Sequence, residues 1–280
     1  MKHLTTRAIV ASLAIAMAFL VLTWPIWRWL WGEWWGNDYY SHGLLIVPIA
    51  LYLGWRRLQQ KGDFLEMQGD DWGVALLGIS LVAYLLAYTN RAYFLAALAM
   101  VGLLGGLLWT FGGRRWLREL LFPLAFLLLM VPLPFIDRAT LPLALLTGIC
   151  SGTLASWLGL DVAIVGTAVS LPNAELVIGA QCSGINSMIS LFALTTLVAY
   201  ILQGPLWGRF LLVFLSVPLA MIGNILRVAT LLFVARSWGV QTAFTFYHDY
   251  SGIVAFLLIF LLLIPLSKSL QCRTLRYEVL

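Results

Sequence analysis

The sequence predicts an all-α polytopic membrane protein with about eight transmembrane helices. Of its 280 residues, 62% are hydrophobic and only 10% are charged, whereas a soluble domain carries about 25% charged residues. Several apolar runs also approach the ~20 residues that a helix needs to cross a bilayer. The length suits one helical bundle, so we expect a single integral membrane domain over residues 1–280.

Eight apolar segments are the predicted spans. They are Ile9–Leu30, Gly43–Trp55, Trp72–Thr89, Tyr93–Phe111, Leu117–Ile136, Ser183–Leu202, Phe210–Ala235 and Ser251–Leu266. The second is short for a full span, so a partly re-entrant path is its alternative. The first has the basic start of a signal peptide, but bulky residues follow it instead of a small-residue cleavage pattern. We therefore expect an uncleaved first helix.

The basic residues predict the orientation of the helices. With a cytoplasmic N-terminus, twelve Lys and Arg residues fall on the cytoplasmic side and four on the outer side. The twelve are Lys2, Arg7, Arg56, Arg57, Lys61, Arg114, Arg115, Arg118, Arg209, Lys268, Arg273 and Arg276, and the four are Arg28, Arg91, Arg138 and Arg236. This asymmetry follows the positive-inside rule, so both termini are expected in the cytoplasm. The net charge of +5 is therefore assigned to topology and not to binding of nucleic acid.

The longest predicted outer loop is Asp137–Gln181. Its first half has helical apolar spacing broken by Thr, Ser and Gly, which predicts an amphipathic helix at the outer surface. Its second half, "DVAIVGTAVSLPNAELVIG", has short β-branched runs separated by Gly-Thr and Pro-Asn. That pattern predicts a small β-hairpin or ribbon just before Cys182. We expect residues 137–181 to form an extracytoplasmic lid.

Cys182 directly precedes the sixth apolar segment, where Ser183 is a candidate N-cap and Gly184 allows close backbone approach. A helix N-terminus offers free N–H groups and partial positive charge, which stabilise a thiolate and can receive an oxyanion. Two alternatives stay open for this cysteine. It is either a small buried hydrophobe or the partner of Cys150 in a disulfide on the outer side. Cys272 falls on the cytoplasmic side and is expected to be inert.

Two more polar residues are predicted at the outer membrane boundary. Arg227 lies 17 residues after Phe210, about 25 Å along a helix, and Asn224 shares its helix face. His248 opens the last segment. Taken alone, Arg227 is explained by snorkelling to the interface, and His248 by an interfacial position beside aromatic residues. Together with Cys182 they supply a thiolate, a cation and a base, the groups of a cysteine acyl-transfer site.

Several other classes lack the residues they need. The histidines are His3, His42 and His248, and none begins the His-Glu-x-x-His motif of a zinc intramembrane protease. No Asp lies inside a predicted span, which excludes an aspartyl intramembrane protease. A proton-coupled transporter has weak support because acidic pairs and interrupted half-helices are missing. Neither a metal site nor a cofactor site is predicted.

Four motifs carry a family resemblance. The motifs "CSGINSM", "GNILRVA" and "HDYSGIVAF", in this order, resemble the exosortase/archaeosortase family. Upstream, "DYYSHGLLIVPIALYLGWRR" is similar to the second-helix signature of that family. The stretch "GLDVAIVGTAVSLPNAELVIGAQCSG" resembles the segment that leads into the family's cysteine. The likeness runs from about Asp38 to Gly252.

The resemblance implies a cysteine transpeptidase of the cytoplasmic (inner) membrane with its active site on the outer face. Such enzymes cleave a C-terminal sorting signal made of a short motif (often Pro-Glu-Pro), a transmembrane helix and a basic tail. They are thought to pass the substrate to a membrane-linked acceptor. Carried over, the likeness implies Cys182 as nucleophile, Arg227 as cationic stabiliser and His248 as proton-transfer partner. Asn224 falls on the family's Asn-x-x-Arg position.

The remaining supporting candidates are Ser183, Gly184 and His42, the last because it lies within a family motif. Three alternative functions stay open. The nearest is a simple sulfhydryl protease. The second is a non-catalytic membrane component of polysaccharide export or assembly, in which Cys182 is structural. The third is a scaffold stabilised by a Cys150–Cys182 disulfide.

Overall fold

The computed structural model describes residues 6–60, 69–172 and 174–276, without the side chains at 6–9, 174, 175, 244, 246, 248 and 249. Its helices are α1 Thr6–Gly36, α2 Gly43–Gln60, α3 Asp71–Thr89, α4 Tyr93–Glu119, α5 Leu121–Leu127, α6 Phe135–Trp157, α7 Ile185–Ile201, α8 Leu206–Trp238, α9 Val240–Thr242 and α10 His248–Ser269. Its strands are β1 Ala163–Val165, β2 Ala168–Leu171, β3 Ala174–Val177, β4 Leu202–Gln203 and β5 Thr274–Leu275. The all-α class is therefore confirmed, with short strands as minor elements.

Within the described residues, seven helical segments are long and apolar enough to cross a membrane. They are Val10–Gly36, Asp71–Thr89, Tyr93–Glu119, Phe135–Trp157, Ala180–Ile201, Leu206–Trp238 and Tyr250–Ser269. The chain is thus a multi-pass membrane protein. Six of the eight predicted spans coincide with these segments. The predicted second span is the helix α2, which does not meet the same criteria.

The predicted fifth span, Leu117–Ile136, is a broken helix. Helix α4 ends at Glu119, α5 follows, and a 3-10 turn ends at Met130. Pro132 and Pro134 then lack the N–H groups with which a helix would continue. The break leaves backbone carbonyls without intrahelical donors, and these need other partners.

Aromatic side chains supply two of those partners. Trp34 Nε1 donates to the carbonyl oxygen of Met130 over 2.9 Å. The Tyr40 hydroxyl donates to the carbonyl oxygen of Leu133 over 2.9 Å. Because a buried unpaired carbonyl is costly, these bonds explain why the break is tolerated at this position.

The structure divides into two compact units, of which the first ends at Leu133 and the second is Pro134–Arg276. In the first unit α3 and α4 pack against each other along their length. In the second, α8 is the central helix, and α6, α7 and α10 all pack against it. The single domain over residues 1–280 stays a prediction.

Helix α6 and the strands after it occupy the predicted lid segment. The predicted helix is present, and it is long and apolar enough to be a span; its place at the outer surface stays a prediction. The predicted hairpin is a three-stranded antiparallel sheet in the order β1-β2-β3. Val169 and Leu176 are paired across it, and both are buried in one hydrophobic cluster with Cys182 and Leu231. The sheet therefore packs over the end of α8 and the cysteine.

Candidate active site

Cys182 ends a 3-10 turn over Ala180–Cys182 that leads into α7. Its backbone N–H donates to Gly179 O over 3.0 Å, which holds the turn closed. The residue is 0% exposed and lies in the cluster beneath the sheet. A substrate carbonyl therefore reaches this sulfur only after the covering groups move.

The two residues after Cys182 form a tight corner. Gly184, not Ser183, is the N-cap residue of α7, and its φ of +77° lies in the left-handed region. A side chain there is strained, and a Cβ would lie 2.6 Å from the Asn224 amide carbon. Ser183 lies one residue before the N-cap, and its hydroxyl accepts a hydrogen bond from the Ile185 N–H at 3.4 Å. The corner thus depends on Gly184 both for conformation and for space.

Asn224 joins α8 to this corner. Its side chain is 4% exposed, and Nδ2 donates to the Cys182 carbonyl oxygen over 2.8 Å. The same nitrogen lies 3.3 Å from the Thr147 hydroxyl of α6. The predicted supporting residue therefore holds the backbone of the cysteine, not its sulfur.

Arg227 lies three residues after Asn224 on the same helix face. Its guanidinium is close enough to Cys182 to act on the sulfur electrostatically. Its Nε and Nη2 atoms are buried, and neither has a hydrogen-bond partner in the described part of the chain. A guanidinium offers these two donors as one planar edge suited to binding an oxyanion. Arg227 therefore keeps anion-binding capacity next to the thiol.

A small cavity adjoins this arginine. Its volume is about 10 Å³, which is close to the minimum for one water molecule. The lining residues include Ser187 of α7, Gly223 of α8 and Gly252 of α10. A Cβ on Gly252 would lie 3.0 Å from Arg227 Nη1. Small residues from three helices therefore leave space around the guanidinium.

His248 is the first residue of α10. It precedes Gly252, the neighbour of Arg227, by one helical turn. The side chain of His248 lies outside the described residues, so its predicted place as the base of the site stays a prediction.

Two neighbours of the site escaped the sequence reasoning. Tyr247 donates its hydroxyl to Thr230 Oγ1 over 2.7 Å, and it packs against the hydrophobic cluster that contains Cys182. Its place next to His248 was the available signal. Thr147 accepts a hydrogen bond from Asn224, and the sequence signal for it was its place on the small-residue face of α6.

His42 lies beside the helix break of the first unit, and its supporting role in the site stays a prediction. Its Nε2 lies 3.2 Å from the carbonyl oxygen of Leu129, another carbonyl at the helix break. Burial lowers the pKa of His42, against the opposing effect of this backbone contact. A neutral ring that donates from Nε2 satisfies both observations.

All three cysteines, Cys150, Cys182 and Cys272, are free thiols. The structure therefore gives no support to a Cys150–Cys182 bridge. Among the described residues, no group of three or more His, Cys, Asp or Glu is arranged to hold a metal ion.

The family model of the transmembrane exosortases matches residues 34–265. The chain belongs to the transmembrane exosortase family. The match includes α2 and most of α10, and with them every residue of the candidate site. Membership indicates a membrane transpeptidase of a protein-sorting system. No curated protein and no solved structure matches the chain.

Proposed function

We propose that this exosortase-family protein is a cysteine transpeptidase whose nucleophile is Cys182. One observation carries the proposal. Asn224 holds the backbone carbonyl of the buried Cys182 just before α7, and Arg227, one turn further along α8, has two buried donors without a partner in the described residues. Burial of such donors is costly unless a ligand accepts their hydrogen bonds. The charge that develops during acyl transfer is a suitable ligand.

The proposed reaction has two steps that share one thioester. His248 takes the proton of Cys182, and the thiolate attacks the scissile carbonyl carbon to form an S–C bond. Arg227 stabilises the tetrahedral oxyanion. The C–N bond then breaks, and His248 returns its proton to the leaving amine.

In the second step an acceptor nucleophile loses its proton to His248 and attacks the thioester. The S–C bond breaks and the thiolate leaves with its electron pair, to be reprotonated by His248. Water competes with the acceptor at this stage. The covering sheet β1–β3 supports a lid function for residues 137–181, because a closed lid limits water at the thioester.

The proposed substrates are proteins with a C-terminal sorting signal. The signal has a short motif of the Pro-Glu-Pro type, a transmembrane helix and a basic tail, and the acceptor is linked to the membrane. The proposed orientation, with both termini in the cytoplasm, keeps the eight spans predicted from the sequence, for which twelve Lys and Arg residues fall inside and four outside. The site then faces the outside of the inner membrane, where such a motif would emerge.

Co-expression with such a substrate tests the proposal. Wild type, Cys182→Ala and Cys182→Ser are compared by following the size of the substrate on a gel. Cys150→Ala is the matched control, because Cys150 is a free thiol on α6 in the same unit. We expect wild type and the control to shorten the substrate, and both Cys182 variants to leave it full length.

Equal shortening by all variants would show that Cys182 is structural. That result would favour the non-catalytic role in polysaccharide export or assembly. Mass spectrometry of the shortened product then separates transfer from hydrolysis, because transfer adds the mass of the acceptor. A product with a free carboxyl end alone would indicate a simple sulfhydryl protease.

A further inference from the structure

We infer that Thr147 is a positioning residue of the active site, whose hydroxyl holds the Asn224 amide against the backbone carbonyl of Cys182. The inference rests on the proposed function. It adds a residue of α6 to a site built otherwise from α7, α8 and α10.

The three groups form a buried hydrogen-bonded chain. Thr147 is 0% exposed and Asn224 is 4% exposed. Asn224 Nδ2 donates to Cys182 O over 2.8 Å and to Thr147 Oγ1 over 3.3 Å. A backbone carbonyl only accepts, so the amide nitrogen must face Cys182. The nitrogen has two N–H groups, and Cys182 O and Thr147 Oγ1 provide one acceptor for each.

Removing the Thr147 hydroxyl leaves one of these N–H groups buried and unpaired. Such a group costs about 1–3 kcal/mol, which favours rotation of the amide toward another partner. Rotation weakens the bond to the Cys182 carbonyl, and with it the corner at Gly184. The position of the sulfur relative to Arg227, one turn further along α8, then becomes less defined. Thr147 therefore acts on the nucleophile through Asn224.

The chain offers a matched control on the same helix. Thr140 is also a buried threonine of α6, 6% exposed. Its hydroxyl donates to Ile136 O of its own helix over 3.1 Å. Thr140→Val and Thr147→Val thus remove the same group from the same helix, but only the second contacts Asn224.

The first test measures kinetics with the full-length enzyme purified in detergent and a purified substrate. Loss of about 1.4 kcal/mol of positioning corresponds to a tenfold lower kcat, and this is the result expected for Thr147→Val. The KM should stay unchanged, because Thr147 is 0% exposed and offers no surface to a bound substrate. Thr147→Ser, which keeps the hydroxyl, should restore kcat, and Thr140→Val should match wild type.

A double-mutant cycle tests the route through Asn224. In an Asn224→Ala background the amide is gone, so Thr147→Val should have no further effect on kcat. If the effects of Thr147→Val and Asn224→Ala on kcat multiply in the double variant, the inference is overturned. The inference is also wrong if Thr147→Val is as active as Thr140→Val while Cys182→Ala abolishes cleavage. That pair of results would leave the proposed function standing.

A second readout does not depend on cleavage. In a Cys150→Ser, Cys272→Ser background, N-ethylmaleimide labels Cys182 alone. Loosening of the corner by about 1.4 kcal/mol should speed labelling of Thr147→Val about tenfold over Thr140→Val. Equal labelling rates would contradict the inference. The labelling rate tests the role of Thr147 independently of the proposed function, because it can be measured even if Cys182→Ala still cleaves the substrate.

Discussion

Cys182 and Cys272 have similar surroundings, but the arginines beside them differ in their hydrogen bonds. Both are free thiols and 0% exposed. Each has an arginine nearby and a tightly packed glycine, Gly184 at the Cys182 corner and Gly204 against Cys272. At Cys272 the arginine is Arg209, whose Nε and Nη2 donate to Gly204 O over 3.2 and 3.0 Å. At Cys182 the same two atoms of Arg227 have no partner in the described residues.

This difference separates a packing site from a candidate reactive site. A buried thiol beside an arginine is not enough, because the donors of Arg209 are already used by the backbone. Those of Arg227 remain available to an incoming oxyanion. The two regions contain the same residue types. They differ in whether the N–H donors of the arginine are already hydrogen-bonded.

The largest expected effect comes from changing the two arginines. Loss of an oxyanion donor lowers turnover by about 100- to 1,000-fold, so Arg227→Gln should nearly abolish cleavage. Arg209→Gln should leave cleavage per folded molecule unchanged. It should lower the unfolding temperature, because a charge-assisted bond worth about 1.5–3 kcal/mol is lost. Substrate cleavage and thermal unfolding in detergent measure both effects; full cleavage by Arg227→Gln would remove the distinction.

The two glycines should give a smaller effect of the same kind. In Gly184→Ala the new Cβ would lie 2.6 Å from the Asn224 amide carbon at a φ of +77°. A displacement of about 1 Å at a reacting group costs about 100-fold in rate, so cleavage should fall by up to that factor.

Gly204→Ala is the control for that substitution. Its Cβ would lie 2.6 Å from Cys272 Sγ and 2.9 Å from Gln271 O. Overpacking of this kind destabilises by about 1–3 kcal/mol, so we expect a lower unfolding temperature and normal cleavage per folded molecule. If both alanine variants lost the same activity after correction for folding, the glycine at the Cys182 corner would have no special role.

The smallest expected effect is the pH dependence of the Cys272 region. Burial raises the pKa of the Cys272 thiol, while Arg209 acts in the opposite direction. The unfolded chain therefore loses this proton at a lower pH than the folded one. The stabilisation is fully present below the unfolded pKa of about 8.5 and is lost as the pH rises through the folded value. Cys272→Ala should flatten the alkaline fall of the unfolding temperature, and parallel curves for both proteins would contradict this.

Much of the fold was predictable because each span needs its own long apolar run. The spans α3, α4, α7, α8 and α10 all follow from this rule. The break after Glu119 was harder to predict, because Leu117–Ile136 has the same composition as an intact span. Its tolerance depends on donors such as Trp34 and Tyr40, about 90 residues away in sequence.

The candidate site was predictable to a similar extent. An intramembrane arginine or asparagine is costly, so Asn224 and Arg227 stood out. Thr147 did not, since a threonine in an apolar helix more simply bonds its own backbone, as Thr140 does.

Apolar length and intramembrane polarity are properties of single segments, so the membrane class and the residue types at the candidate site could be predicted from the sequence. The packing of the helices was needed to show that Asn224 holds the Cys182 carbonyl, and that the donors of Arg209 are used while those of Arg227 have no partner in the described residues. Hydrogen bonds depend on distances between helices, and these arise only when the helices pack.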